Sequence, residues 1–280
     1  MKNSARYVFA SLAAGSALLA LLLAAAPAGS EGRRRPTLAP DPMDAPPRPP
    51  NKTKCNYQDP QDFLVRKNFV MRGKLSADER RARKAIHDKS IEYRTKMYGY
   101  FKGFGKRSWN PHAPSHYTRW TTFFGKRVRL NERIIPALEC VEEQIRDECK
   151  ATPYQPDRLS GLREKNTYHT GEVSNHVYGI AIDVDPLQNT CCGCVAQWGD
   201  HPLCKRPAKS IYDRMKMPSC WVHVFERFGF YWLGHDRLQD TMHFEFLGDP
   251  DNIRRSEVTG SPELQDSAGV DPPPVGQGSQ

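Results

Sequence analysis

The sequence has 280 residues, 38% of them hydrophobic and 26% charged, which fits one packed domain with extensions and does not require order throughout. Its formal net charge is +9 and its pI about 9.1, so attraction to anionic surfaces such as cell-wall polymers is expected. Apart from Arg33-Arg34-Arg35 and residues 79–84 the basic residues are scattered, and no nucleic-acid motif accompanies them, which excludes nucleic acid as the expected partner.

The first element is an export signal. Lys2 and Arg6 precede an apolar run from Val8 to Ala26, and Ala26-Pro27-Ala28 is a small-x-small cleavage pattern. Residues 1–28 therefore read as a signal peptide, with no stable membrane insertion after cleavage and with the periplasm or the exterior as the destination. An uncut anchor is the alternative, although Ser11, Gly15 and Ser16 interrupt the run. The 23 prolines crowd into residues 27–60 and 262–274. Residues 29–54 accordingly read as a Pro/Arg-rich linker and residues 256–280 as a disordered tail. Asn51-Lys52-Thr53 is a glycosylation sequon, relevant only in a eukaryotic secretory host.

Residues 55–135 read as an N-terminal helical extension. Ser76 and Glu79 form a capping box, which predicts a helix from Ala77 to Tyr98. Pro136 opens a second helix to about Lys150, with Leu138, Val141, Ile145 and Cys149 on its buried face. Residues 158–163 and 177–185 read as strands. Pro218 opens a third helix that Gly229 stops, and residues 230–233 and 243–247 complete the strands. Helices first and strands later predict an α+β domain with helices packed on an antiparallel sheet.

Eight cysteines, in an exported chain, point to disulfides: Cys55, Cys140, Cys149, Cys191, Cys192, Cys194, Cys204 and Cys220. The dense group from Cys191 to Cys220 reads as a stapled loop, with a thiolate zinc site as the lesser alternative. The pairing stays open, except that adjacent Cys191 and Cys192 are expected to take different partners.

Two motifs carry chemistry. From Ser174 to Asp185 the sequence reads S-N-H-V-Y-G-I-A-I-D-V-D. Ile180, Ile182 and Val184 alternate with Ala181, Asp183 and Asp185, a strand with one apolar and one carboxylate face. An uninterrupted strand would point His176 and Asp183 to opposite faces, and Gly179 permits the bend that joins them. The second motif, Asp240-Thr241-Met242-His243-Phe244-Glu245-Phe246, turns Phe244 and Phe246 to the core and His243 and Glu245 away from it. Two neutral imidazoles and one carboxylate leave a fourth tetrahedral position open, the pattern of a catalytic zinc site. A surface strand of solvated polar residues is the bland alternative.

The pair S-x-H-x-x-G-x-A-x-D and D-x-x-H-F-E resembles the zinc D-alanyl-D-alanine carboxypeptidase and L-alanyl-D-glutamate endopeptidase family, the VanY-like enzymes. Gly229-Phe230-Tyr231-Trp232-Leu233-Gly234 is similar to the family's G-F-x-W-G-G segment, and Ser160-Gly161-Leu162-Arg163 to its S-G-Y-R segment. The resemblance covers about residues 136–247 and leaves 55–135 and the insert 186–220 without counterpart. It implies a peptidase core over 136–255 with a hedgehog-type fold, and zinc on His176, Asp183 and His243. It further implies Asp240 as general base and Arg163 as the group that holds substrate or steadies an oxyanion. Some relatives carry Glu where this chain has Asp240. Around that site Ser174, Asp185 and Glu245 are the expected supporting residues, while His235 and Asp236 are expected in the cleft wall. His169 and His223 have no partner motif, and Arg163 could instead form a surface salt bridge with Glu164 or Asp157.

The expected activity is hydrolysis of peptide bonds in peptidoglycan stem peptides by a monomer. The rival is a non-catalytic zinc-stabilised module that binds wall peptide or a partner protein, and a weaker third reading is a wall-associated structural protein.

Overall fold

The computed structural model describes residues 50–168 and 171–255. The signal peptide, residues 29–49 of the linker, the tail 256–280 and His169 lie outside the described residues.

The capping box forms as expected. Ser76 Oγ accepts from the Glu79 amide at 3.2 Å, and the Glu79 carboxylate accepts from the Ser76 amide at 2.7 Å. Helix α1 then spans Ala77–Tyr98 and stops at Gly99. Its buried residues are Ser90, Ile91, Arg94, Thr95 and Tyr98, one face at helical spacing, while most of its charged residues face water.

The stretch expected as a helical extension holds a β-hairpin besides helix α1. Strands β1 (Thr118–Phe123) and β2 (Lys126–Asn131) pair antiparallel. The two turn residues, Phe124 and Gly125, both have positive φ (48° and 75°), the geometry a two-residue hairpin needs to match strand twist. Without the usual Asn-Gly signal at that turn, the hairpin does not stand out in the sequence.

Helix α2 spans Ile135–Glu148 and buries Leu138, Val141 and Ile145, with Cys149 at its C-cap also buried. The main sheet is antiparallel, in the order β3 (Leu159–Ser160), β4 (Ala181–Val184), β6 (His243–Phe246), β5 (Phe230–Trp232). Short helices α3 (Ala196–Gly199) and α4 (Pro202–Lys205) lie in the cysteine-rich insert, and α5 (Ser219–Arg227) precedes β5. The protein is thus an α+β fold of antiparallel strands with helices packed on them. The strand expected over 177–185 is half a strand, because residues Asn175–Tyr178 form a 3-10 turn instead.

Phe225 of α5 stacks on Phe244 of β6 at 4.0 Å between ring centroids, and Phe230 meets Phe246 edge-on at 5.3 Å. These rings fill the core on the helix side of the sheet. The strands' other face is buried too, so the polar residues of β4 and β6 are enclosed rather than solvated.

All eight cysteines are paired: Cys55–Cys140, Cys149–Cys220, Cys191–Cys194 and Cys192–Cys204. Cys191 and Cys192 take different partners, and only Cys220 of the dense group leaves the insert. The pairing excludes a thiolate metal site. The Cys55 backbone pairs with that of Arg254 in an isolated antiparallel β-bridge, and the Arg255 amide donates to Lys54 O at 2.9 Å, so the folded unit starts before residue 55. No helix among the described residues is long and apolar enough to cross a membrane.

Candidate active site

Register brings the two motifs together. Asp183 on β4 lies directly opposite His243 on β6. His176 sits on the 3-10 turn before β4, which Ser174 caps by accepting from the His176 amide at 3.3 Å. Gly179 ends that turn in the left-handed region at φ 68°, and a Cβ there would lie 2.9 Å from the Asn131 amide nitrogen. The bend returns the chain so that His176 faces Asp183, as the glycine implied.

Three atoms converge. His176 Nε2 lies 3.1 Å from Asp183 Oδ1 and 3.1 Å from His243 Nδ1, which in turn lies 2.8 Å from the same oxygen. The remote nitrogens are already committed. His176 Nδ1 donates to Gly161 O at 2.6 Å, and His243 Nε2 donates to Glu245 at 3.0 Å. Each ring, when neutral, therefore turns a lone pair toward the centre, where a carboxylate oxygen already points. Three acceptors facing one another repel unless a cation lies among them. His176, Asp183 and His243 are all buried, and their atoms lie within the span that one metal ion bridges.

The electrostatics agree. Burial lowers the His176 imidazolium and keeps that ring neutral. Burial also opposes charge on His243, but its hydrogen bonds to Asp183 and Glu245 override it and raise that group to about 10. The surroundings thus favour a positive charge at the His243 nitrogen that faces Asp183, and a metal ion can take the proton's place. Asp183 stays well below the usual carboxylate range: burial raises it, and the two histidines pull it down further.

The three residues open onto a cleft of about 860 Å³ that Arg163, Asp240 and Tyr168 also line. Asp240 is half-buried, its Oδ1 is enclosed without a hydrogen-bond partner among the described residues, and burial raises it to about 7. Arg163 lies a few residues beyond β3. Its side chain pairs with the second oxygen of Asp183, not with Glu164 or Asp157, and its amide donates to His176 O at 3.0 Å.

The other expected site residues separate. Glu245 touches His243 directly. Asp185 lines the cleft but accepts from the amides of Asp157 (2.8 Å) and Arg158 (2.7 Å) and from the Tyr154 hydroxyl, which ties down the loop before β3. His235 pairs with Glu226 at 2.7 Å and Asp236 with Arg66 at 3.4 Å, and neither lines the cleft, which corrects their place in its wall. His223 faces the Tyr212 hydroxyl at 3.3 Å, away from the site. The insert supplies one wall through Leu187, Cys194, Val195 and Trp198.

Sequence reasoning missed Gly161 as the carbonyl that orients His176, because a backbone acceptor leaves no residue-type signal. The approach is close: a Cβ on Gly161 would meet Arg129 O of β2 at 2.3 Å.

No curated protein and no solved structure matches the chain. Residues 168–246, the stretch that carries both histidine motifs, match the family model described as D-alanyl-D-alanine carboxypeptidase, which supports the resemblance that the motifs carry.

Proposed function

We propose that the protein is an exported zinc-dependent peptidase that hydrolyses peptide bonds of peptidoglycan stem peptides, with zinc on His176, Asp183 and His243. The observation that carries this reading is the convergence of His176 Nε2, Asp183 Oδ1 and His243 Nδ1 at the floor of an open cleft, with both remote ring nitrogens committed elsewhere. Zinc supplies Lewis acidity at such a site, polarising a carbonyl and making water more acidic.

The chain's own groups do the rest. Asp240, raised to about 7, accepts a proton from water near neutrality and returns it to the departing amine. Its raised value matches the working range of a general base more closely than an ordinary aspartate would. Arg163, held by Asp183 and partly exposed in the cleft, offers its remaining N–H groups to a substrate carboxylate or to the developing oxyanion. Glu245 and Gly161 O keep the histidines in the ligating tautomer. The signal, the core at 136–255 and the disulfides together support export to the periplasm or the exterior. The proposed unit is a monomer.

Digestion of purified peptidoglycan by residues 29–280, with mass spectrometry of released fragments, tests the proposal. Release that a zinc chelator abolishes is expected, and fragment masses name the bond. One bound zinc per chain with no release from several wall types would replace it with the non-catalytic binding module.

A further inference from the structure

Helix α1 lies outside the family-matched stretch, yet one of its side chains reaches the site. Arg94 is 2% exposed. Its Nη1 donates to Asn175 Oδ1 at 2.9 Å and to Val173 O at 3.5 Å, its Nη2 to Ser90 Oγ at 2.9 Å, and its Nε to Ser90 O at 3.2 Å. None of these partners is a carboxylate. A fully buried cation hydrogen-bonded only to neutral acceptors is expensive, and the carboxylate that acts on its charge is Glu245, so its position calls for a reason.

We infer that Arg94 is a positioning residue for the metal site, acting through Asn175 and Glu245 to fix the nitrogen that His243 presents and bracing the turn that carries His176. The inference rests on the metal-site reading above. A guanidinium can only donate, so Asn175 must turn its oxygen toward Arg94. The Asn175 amide NH₂ is then the group left to face Glu245, whose carboxyl it helps hold below its ordinary value. Glu245 accepts from His243 Nε2 at 3.0 Å. The His243 proton is thereby placed on Nε2, and the Nδ1 lone pair faces Asp183 and His176. Were Asn175 reversed, its oxygen would face the Glu245 carboxylate, acceptor against acceptor. Glu245 is an ionised carboxylate and itself accepts only, so it sets the His243 proton, and the part left to Arg94 and Asn175 is to hold that carboxylate in place.

The second arm is shorter. Asn175 and His176 are neighbours on one 3-10 turn, and Val173 immediately precedes that turn's cap. By holding Val173 O and Asn175 together, Arg94 restrains the backbone that aims His176. The rings of Phe69 and Tyr178 flank the guanidinium at 5.7 and 5.6 Å, so the group is also packed. Packing alone would be served by an apolar side chain of similar length, which makes the two roles separable.

The test is zinc affinity of the oxidised protein, measured by competition with a chromophoric chelator. It compares wild type with Arg94→Met, Asn175→Ala, the double variant and Arg94→Lys, with near-ultraviolet circular dichroism to verify folding. Arg94→Met and Asn175→Ala are each expected to weaken zinc about 10- to 100-fold. The double variant should lose little more than the worse single, because both break one chain of contacts. Arg94→Lys, which keeps a donor and a charge, should recover part of the loss. A folded Arg94→Met with wild-type zinc affinity overturns the positioning role alone, and so do losses that multiply in the double variant. Wild type that binds no zinc overturns the metal reading and this inference with it. If Arg94→Met does not fold, wild-type affinity in both Arg94→Lys and Asn175→Ala is the overturning result.

Discussion

Replacing Asp240 by asparagine removes one buried charge while keeping the side chain's shape, and its effect on stability can be worked from the structure. In the unfolded chain this carboxyl ionises near its ordinary value of 3.8, whereas in the fold burial holds the proton to about 7. Below the unfolded value both states are protonated and the group is neutral to folding. As pH rises from there to about 7, only the unfolded chain has released the proton, so the fold loses stability across that window. Above it the full cost is present. The shift corresponds to about 4 kcal/mol at 1.36 kcal/mol per pH unit. The side chain is half-buried and charged neighbours surround it, so about 2 kcal/mol is the expected size. The assay is urea unfolding of chelator-treated, oxidised protein at about pH 3.5, just below the unfolded value, and about pH 8. Asp240→Asn should be close to wild type at the lower pH and about 2 kcal/mol more stable at the higher. Taking the difference between the proteins cancels the titrating groups that do not interact with Asp240. A gap that stays flat or shrinks with pH would refute the argument that burial holds this proton. The same variant should keep zinc and lose turnover, because the group it removes is the proposed base rather than a ligand.

Three further outcomes follow from particular contacts. His176→Ala should lose both zinc and peptide release, read by metal analysis and by peptidoglycan digestion, since it deletes one of the three converging donors. Gly161→Ala should lower stability by about 1–3 kcal/mol in urea unfolding and weaken zinc, because the added methyl meets Arg129 O at 2.3 Å and must push away the carbonyl that orients His176. Replacing Cys149 and Cys220 together by serine should cost about 2–5 kcal/mol in the same assay, because that bridge closes a loop of 71 residues between α2 and α5. A loss below about 1 kcal/mol would mean that the unfolded chain is already restrained there.

Local chemistry determined much of this protein before any tertiary contact. The Ser76–Glu79 box fixed the start of α1 because both partners lie within one turn. The alternation of Ile180, Ile182 and Val184 with Ala181 and Asp183 marked β4, and Phe244 and Phe246 marked the core face of β6. The two histidine motifs named the converging residues, since the spacing S-x-H-x-x-G-x-A-x-D already contains the bend at Gly179. Other features required the fold. The hairpin at 118–131 was hidden because its turn, Phe124-Gly125, carries no strong local signal, and only pairing in space reveals it. Asp185, a carboxylate on the right face by periodicity, proved to be spent on the amides of Asp157 and Arg158, which no alternation pattern encodes. Arg163 chose Asp183 over its sequence neighbours because burial makes that carboxylate the stronger partner. Arg94 is one of many basic residues on a charged helix, and nothing in the sequence separates it from Arg81 or Lys84. It differs from them because folding removes it from water beside Asn175, 81 residues along the chain, where a donor-only group fixes which way that amide turns. Sequence spacing specifies which groups can be neighbours along the chain. Which distant groups are desolvated together, and so forced to satisfy one another, is decided only by the tertiary structure.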